Sequence, residues 1–150
     1  RSFQEMQQNI QTGIPIVLNA RVDALVRGGT RDDAIARANA YLAAGADVIF
    51  MPHASPRGTP AEKRSSWMRH LPARAFDNGI FIVACNQTGD NGSGLRFPGI
   101  ATVIGPDGRV MAETSAGTEG LLIADLKTED LAAVRQHPMR YFLPHRRSDP

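Results

Sequence analysis

The 150 residues are 42% hydrophobic and 21% charged, the proportions of one soluble globular domain, and they exclude a disordered or fibrous chain. Lys and Arg total 17 against 15 Asp and Glu, a net charge of +2, and no basic run interleaves with aromatics, so nucleic acid is not an expected partner. The longest apolar runs, 14–18 and 79–85, are strand-sized and far below the roughly 20 residues of a membrane helix, so no membrane partner is expected either.

The single cysteine, Cys85, cannot form an internal disulfide, and no leader-like segment precedes the first strand, so a cytoplasmic protein is expected. The chain opens on Arg1 rather than Met, as a fragment or trimmed chain would.

In chain order, a polar amphipathic turn or two at 3–11 leads to Ile14-Pro15-Ile16-Val17-Leu18-Asn19, which reads as a buried parallel strand. Thr30 is a good helix N-cap, Asp32 and Asp33 place negative charge in the first turn, and Gly45 ends that helix. The strand Ala46-Asp47-Val48-Ile49-Phe50-Met51 follows, which completes a βαβ unit. Residues 52–60 form a loop at the strand's carboxyl end, where open α/β sheets place their ligands. The spacing of Trp67, Leu71 and Ala75 predicts one helix over 61–78 that stops at Gly79, and 80–86 is again a strand. Residues 89–94 are a turn-rich loop, a flap or simply a long surface turn. Pro106-Asp107-Gly108 presets a hairpin between 100–104 and 109–113, then come a strand at 120–126, a helix at 128–136 and an irregular tail.

This order predicts an α/β fold. Candidate binding residues gather at strand ends: Arg21 after the first strand, His53 and Ser55 after the second, and Asn86 at the end of the third. Arg21 and Asp23 suit a carboxylate or a metal, or simply each other as an ion pair. His53 is without a second metal ligand at helical or strand spacing, and His70, His137 and His145 are scattered, so no metal site and no cofactor is expected. Lys63 beside Glu62 reads as solvated charge at a helix start. Cys85, inside an apolar strand with no cation nearby in sequence, reads as structural rather than reactive.

From about residue 45 to 147 the chain resembles the carboxyl-terminal half of the nitrilase superfamily, the carbon–nitrogen hydrolases. The resemblance is carried in order by Gly45-Ala46-Asp47-Val48-Ile49-Phe50-Met51-Pro52, by Trp67 with Leu71-Pro72-Ala73-Arg74-Ala75-Phe76-Asp77-Asn78-Gly79, and by Val83-Ala84-Cys85-Asn86-Gln87-Thr88-Gly89. Phe97-Pro98-Gly99, Pro106-Asp107-Gly108 and the tail Arg140-Tyr141-Phe142-Leu143-Pro144-His145-Arg146-Arg147 continue it. Ala101 departs from it, since the family's hairpin usually carries serine there. The resemblance implies part of an αββα sandwich, entered here by the βαβ unit. It also implies hydrolysis of a non-peptide C–N bond in a small amide or carbamoyl substrate.

That chemistry uses a thiolate nucleophile, a carboxylate base and a lysine that stabilises the oxyanion. The family's cysteine elbow falls near Asn19 and Ala20, where no thiol stands, and its glutamate and lysine would precede Arg1. No catalytic residue is therefore assigned in this chain.

The first third, about 1–50, resembles the isocitrate lyase and phosphoenolpyruvate mutase superfamily through Asn19-Ala20-Arg21-Val22-Asp23-Ala24 and Ala40-Tyr41-Leu42-Ala43-Ala44-Gly45-Ala46-Asp47. This implies, as the alternatives, a segment of a (β/α) barrel and carbon–carbon lyase chemistry on a small acid, with Arg21 holding the carboxylate and a divalent metal as cofactor. A junction near 45–51 reconciles the two resemblances within one α/β domain, and a non-catalytic chimera or scaffold is the third expectation. The tail 138–147, two aromatics with three arginines, needs a surface to cover it and predicts a homo-oligomer or a strap over its own domain.

Overall fold

The computed structural model describes residues 45–140; the expected strand at 14–19, the helix at 30–44, Arg21 and the tail from 141 onward lie outside them. The elements are β1 (Val48–His53), α1 (Pro60–Met68), α2 (Leu71–Asn78), β2 (Phe81–Asp90), β3 (Arg96–Ile104), β4 (Val110–Thr114), α3 (Thr128–Arg135) and a 3-10 turn (Pro138–Arg140). The strands form one sheet in the order β1-β2-β3-β4, with β1 parallel to β2 and the other pairs antiparallel.

The mixed sheet bears out the α/β class. A (β/α) barrel segment does not fit these residues, because a barrel of that kind is built from parallel strands alone. The second sheet of a sandwich is not among the described residues.

Register and pleat divide the sheet into two faces. Ile82 pairs with Ile104, Ala84 with Thr102 and Asn86 with Ile100, while Ile49, Met51 and His53 of β1 pair with Ile82, Ala84 and Asn86. Side chains directly opposite one another share a face, so these nine form one surface. The helices cover it: α1 packs on β3, α2 on β2 and β3, and Trp67, Leu71 and Ala75 are buried there.

The helix expected over 61–78 is two helices. Pro72 has no N–H to extend the ladder of α1. Arg69 and His70 instead donate three residues back, to the carbonyls of Ser66 at 3.3 Å and Trp67 at 3.1 Å, before α2 restarts at Leu71. α2 ends as expected at Gly79, whose φ of 56° is left-handed, and the Ile80 N–H closes the last turn onto the Ala75 carbonyl at 3.2 Å.

β2 and β3 form a second hairpin, where the sequence suggests a turn-rich loop at 89–94. β2 continues to Asp90 and β3 begins at Arg96, so the loop shrinks to 91–95. There the Asn91 side-chain oxygen accepts from the Ser93 and Leu95 backbone amides at 3.0 and 3.1 Å, which makes it a hairpin turn. Gly99 allows the extension: at φ 51° it lies against Thr88, and a Cβ there would lie 2.6 Å from the Thr88 Cβ.

The strand expected at 120–126 does not form. Its exposure still alternates, with Leu121 and Ile123 at 93% and 83%, but among the described residues no strand pairs with it. Alternation fixes the faces of a segment; a ladder also needs a partner.

Thr102 is 1% exposed, and its hydroxyl finds no hydrogen-bond partner beneath the helices. An unmade buried hydrogen bond costs about 1–3 kcal/mol. Thr102→Val keeps the shape and removes the hydroxyl, so it is expected to raise stability by about 1 kcal/mol, read as an increase in the urea midpoint at unchanged slope.

Candidate active site at the carboxyl end of β1

Three of the four binding residues expected from sequence meet at one place. His53 is the last residue of β1 rather than part of the following loop, and its register partner on β2 is Asn86. Asn86 is 8% exposed and grips the loop through both ends of its amide: its oxygen accepts from the Ser55 N–H at 3.0 Å, and its nitrogen donates to the Ser55 carbonyl at 3.1 Å. The same nitrogen donates to the Gln87 carbonyl at 3.2 Å. Arg21, the fourth, lies outside the described residues.

Lys63 joins them. Its ammonium donates to the Ser55 hydroxyl at 2.7 Å, and both residues are half-buried. Lys63, expected as solvated charge beside Glu62, is half-buried, while Glu62 is indeed exposed but turns to the helix N-terminus. There it accepts from the Thr59 backbone N–H at 2.8 Å, and the Thr59 hydroxyl accepts from the Glu62 N–H at 3.2 Å, a reciprocal cap. The Thr59 backbone N–H, and after it the Thr59 hydroxyl donating to Glu62 Oε2 at 3.0 Å, hold the Glu62 carboxyl below its usual range. The signal was present in the sequence as Thr59-Pro60-Ala61-Glu62, which commits Glu62 to the cap and leaves Lys63 to another partner.

The His53 ring tilts against Trp67 with ring centres 5.2 Å apart, and its Nδ1 is buried without a hydrogen-bond partner. Burial first, then the positive charge of Lys63, then that of His70, hold the imidazole below its usual range, so it is neutral at pH 7. The folded chain refuses a proton that the unfolded chain accepts, so stability rises with pH across this window. We expect the melting temperature to fall as pH drops below about 6.5 towards the lower folded value, and the fall to shrink in His53→Gln.

Cys85 corrects the sequence reading in a different way. It is exposed rather than packed inside its strand. Successive side chains of a strand point to opposite faces, so Cys85 looks away from the face that carries Asn86 and His53. Among the described residues no group of three His, Cys, Asp or Glu gathers to hold a metal, and no helix is long and apolar enough to cross a membrane.

The family model for carbon–nitrogen hydrolases matches residues 21–136. The chain belongs to the carbon–nitrogen hydrolase family. The match reaches back through most of the segment that resembles the lyases, and that second resemblance gains no support from it.

Among curated relatives of this family, a 2-oxoglutaramate amidase of Bacillus subtilis is 36% identical over 92 residues, 61% of this chain and 33% of the relative. A deaminated glutathione amidase of Synechocystis is 37% identical over 93 residues, 61% of this chain and 32% of the relative. The chain thus spans about a third of the length of these carbon–nitrogen hydrolases. A solved carbon–nitrogen hydrolase from Helicobacter pylori superimposes with a TM-score of 0.56 at 20% identity, over 75% of this chain and 41% of the other, a likeness of fold. A Saccharomyces cerevisiae protein of branch 10 of the nitrilase superfamily gives the same TM-score at 25% identity, over 67% and 36% of the two chains.

Proposed function

We propose that the chain is the carboxyl-terminal, substrate-binding part of an amidase that hydrolyses the non-peptide C–N bond of a small amide, and that these 150 residues lack the sulfur nucleophile. The observation that carries this reading is the convergence of His53, Ser55, Lys63 and Asn86 at the carboxyl end of a parallel strand pair, in a chain of the carbon–nitrogen hydrolase family. Asn86 and the Ser55 backbone fix the loop, and the hydroxyl and ammonium offer donors to a polar substrate. The names of the amidase relatives support an amide as substrate.

In this family's chemistry a thiolate attacks the amide carbon, ammonia leaves after taking a proton, and water cleaves the resulting thioester. The only thiol of the sequence, Cys85, looks away from the cluster and is not that nucleophile. The test incubates the full chain and Cys85→Ser with succinamate, measures ammonia release, and follows binding by calorimetry. The expected outcome is saturable binding in both proteins, with no ammonia above a protein-free control. An acyl adduct on Cys85 by mass spectrometry, or no binding at all, contradicts the reading.

Self-association through the tail belongs to the same proposal, supported by Met139 at 72% exposure where that segment begins. Light scattering is expected to give a mass above that of one chain, and a monomer contradicts it.

A further inference from the structure

Lys63 is a half-buried cation whose neighbourhood gives it a hydroxyl in place of a carboxylate. Its ammonium has three protons and spends one on the Ser55 oxygen at 2.7 Å. Among the described residues no Asp or Glu forms an ion pair with it: Arg64 takes Glu113, Arg135 takes Asp47, and Glu62 caps its own helix. His53, also at this spot, is neutral, and it is held so in part by the charges of Lys63 and His70. Partly buried charges are ordinarily paired, and a cation held beside a fixed hydroxyl donor matches the two oxygens of a carboxylate. Asn86 fixes the Ser55 backbone from both sides, so the hydroxyl is presented by a rigid loop.

We propose that Lys63 Nζ and Ser55 Oγ receive a carboxylate of the substrate, so that this site selects amides that also carry an acid group over neutral amides. The selection rests on the amidase reading for the amide half of the ligand only. The carboxylate half is a property of the Lys63–Ser55 pair and is testable without turnover. Binding keeps the ammonium charged, moves no proton, and replaces water on the two free N–H donors.

The test titrates the full chain at low ionic strength with succinamate, with neutral succinamide, and with acetate, which carries the acid group alone. Charge-assisted hydrogen bonds of this kind are worth roughly a tenfold or greater difference in affinity. Succinamate is expected to bind at least about tenfold more tightly than succinamide. Lys63→Met is expected to abolish that preference and Lys63→Arg to retain most of it. Ser55→Ala, which leaves both backbone bonds to Asn86 in place, is expected to weaken it by a few-fold, and it keeps the test open if Lys63→Met does not fold. Equal affinity for the two amides, a preference that survives Lys63→Met, or no binding of any of the three overturns the proposal. Acetate binding that depends on Lys63, together with succinamate binding no tighter than acetate, upholds the carboxylate site and counts against the amidase reading instead.

Discussion

Trp67→Ala is expected to be the most damaging single substitution among the described residues. Trp67 is 5% exposed, closes the end of α1 and lies against His53 on the covered face of the sheet. Truncating a buried tryptophan to alanine removes its transfer energy and leaves a cavity, a loss of about 3–5 kcal/mol. That is a large share of the roughly 5–15 kcal/mol that a domain has in total. The thermal midpoint should fall by about 10 °C or more, with Trp67→Phe recovering most of it. The same change removes one wall of the His53 environment. In a stabilised background the imidazole of the Trp67→Ala chain should therefore titrate closer to the ordinary histidine value, read from its ring proton shifts against pH.

Asn86→Ala should cost less stability and more of the site. Its amide holds the Ser55 N–H, the Ser55 carbonyl and the Gln87 carbonyl, all at 3.0–3.2 Å, from a position that is 8% exposed. Alanine leaves these backbone groups without their partner, at a cost of about 1–3 kcal/mol for the group. The loop that carries Ser55 then loses its tether to β2, and Lys63 loses a fixed hydroxyl. Denaturant melts are expected to show the stability loss at unchanged slope, while succinamate binding weakens by about tenfold. Asn86→Asp separates the two effects: its carboxylate still accepts from the Ser55 N–H but cannot donate to either carbonyl, and it places beside Lys63 the negative charge that a substrate would otherwise bring. It should therefore bind succinamate more weakly than Asn86→Ala does.

Much of the sheet was legible because its signals are local. The apolar run through Val48, Ile49, Phe50 and Met51, the Gly79 stop and the Pro106-Asp107-Gly108 reversal each set backbone geometry through neighbouring residues, and each element formed where these place it. Where the outcome depended on a distant partner, the pattern was silent. Residues 120–126 alternate as a strand should, yet find no ladder among the described residues. Cys85 sits among apolar neighbours in sequence, while the pleat turns it to an exposed face. The apolar stripe of 61–78 is continuous enough to read as one helix, but Pro72 interrupts the hydrogen bonding.

The site divides the same way. His53, Ser55 and Asn86 were found because strand ends in α/β sheets are where loops can gather functional groups. Lys63 was missed because its partner, Ser55, lies eight residues earlier, across a loop whose path no periodicity encodes. Beside Glu62, Lys63 reads as solvated charge at a helix start, and the cap at Thr59 takes only the carboxylate of that pair of neighbours.

The most direct measurement is a backbone and side-chain nuclear magnetic resonance titration of the full chain with succinamate. Saturable shifts that converge on His53, Ser55, Lys63 and Asn86, with Cys85 and the opposite face unmoved, are the predicted result. Shifts centred on Cys85 and its neighbours, or none on the four residues at saturating ligand, would contradict it.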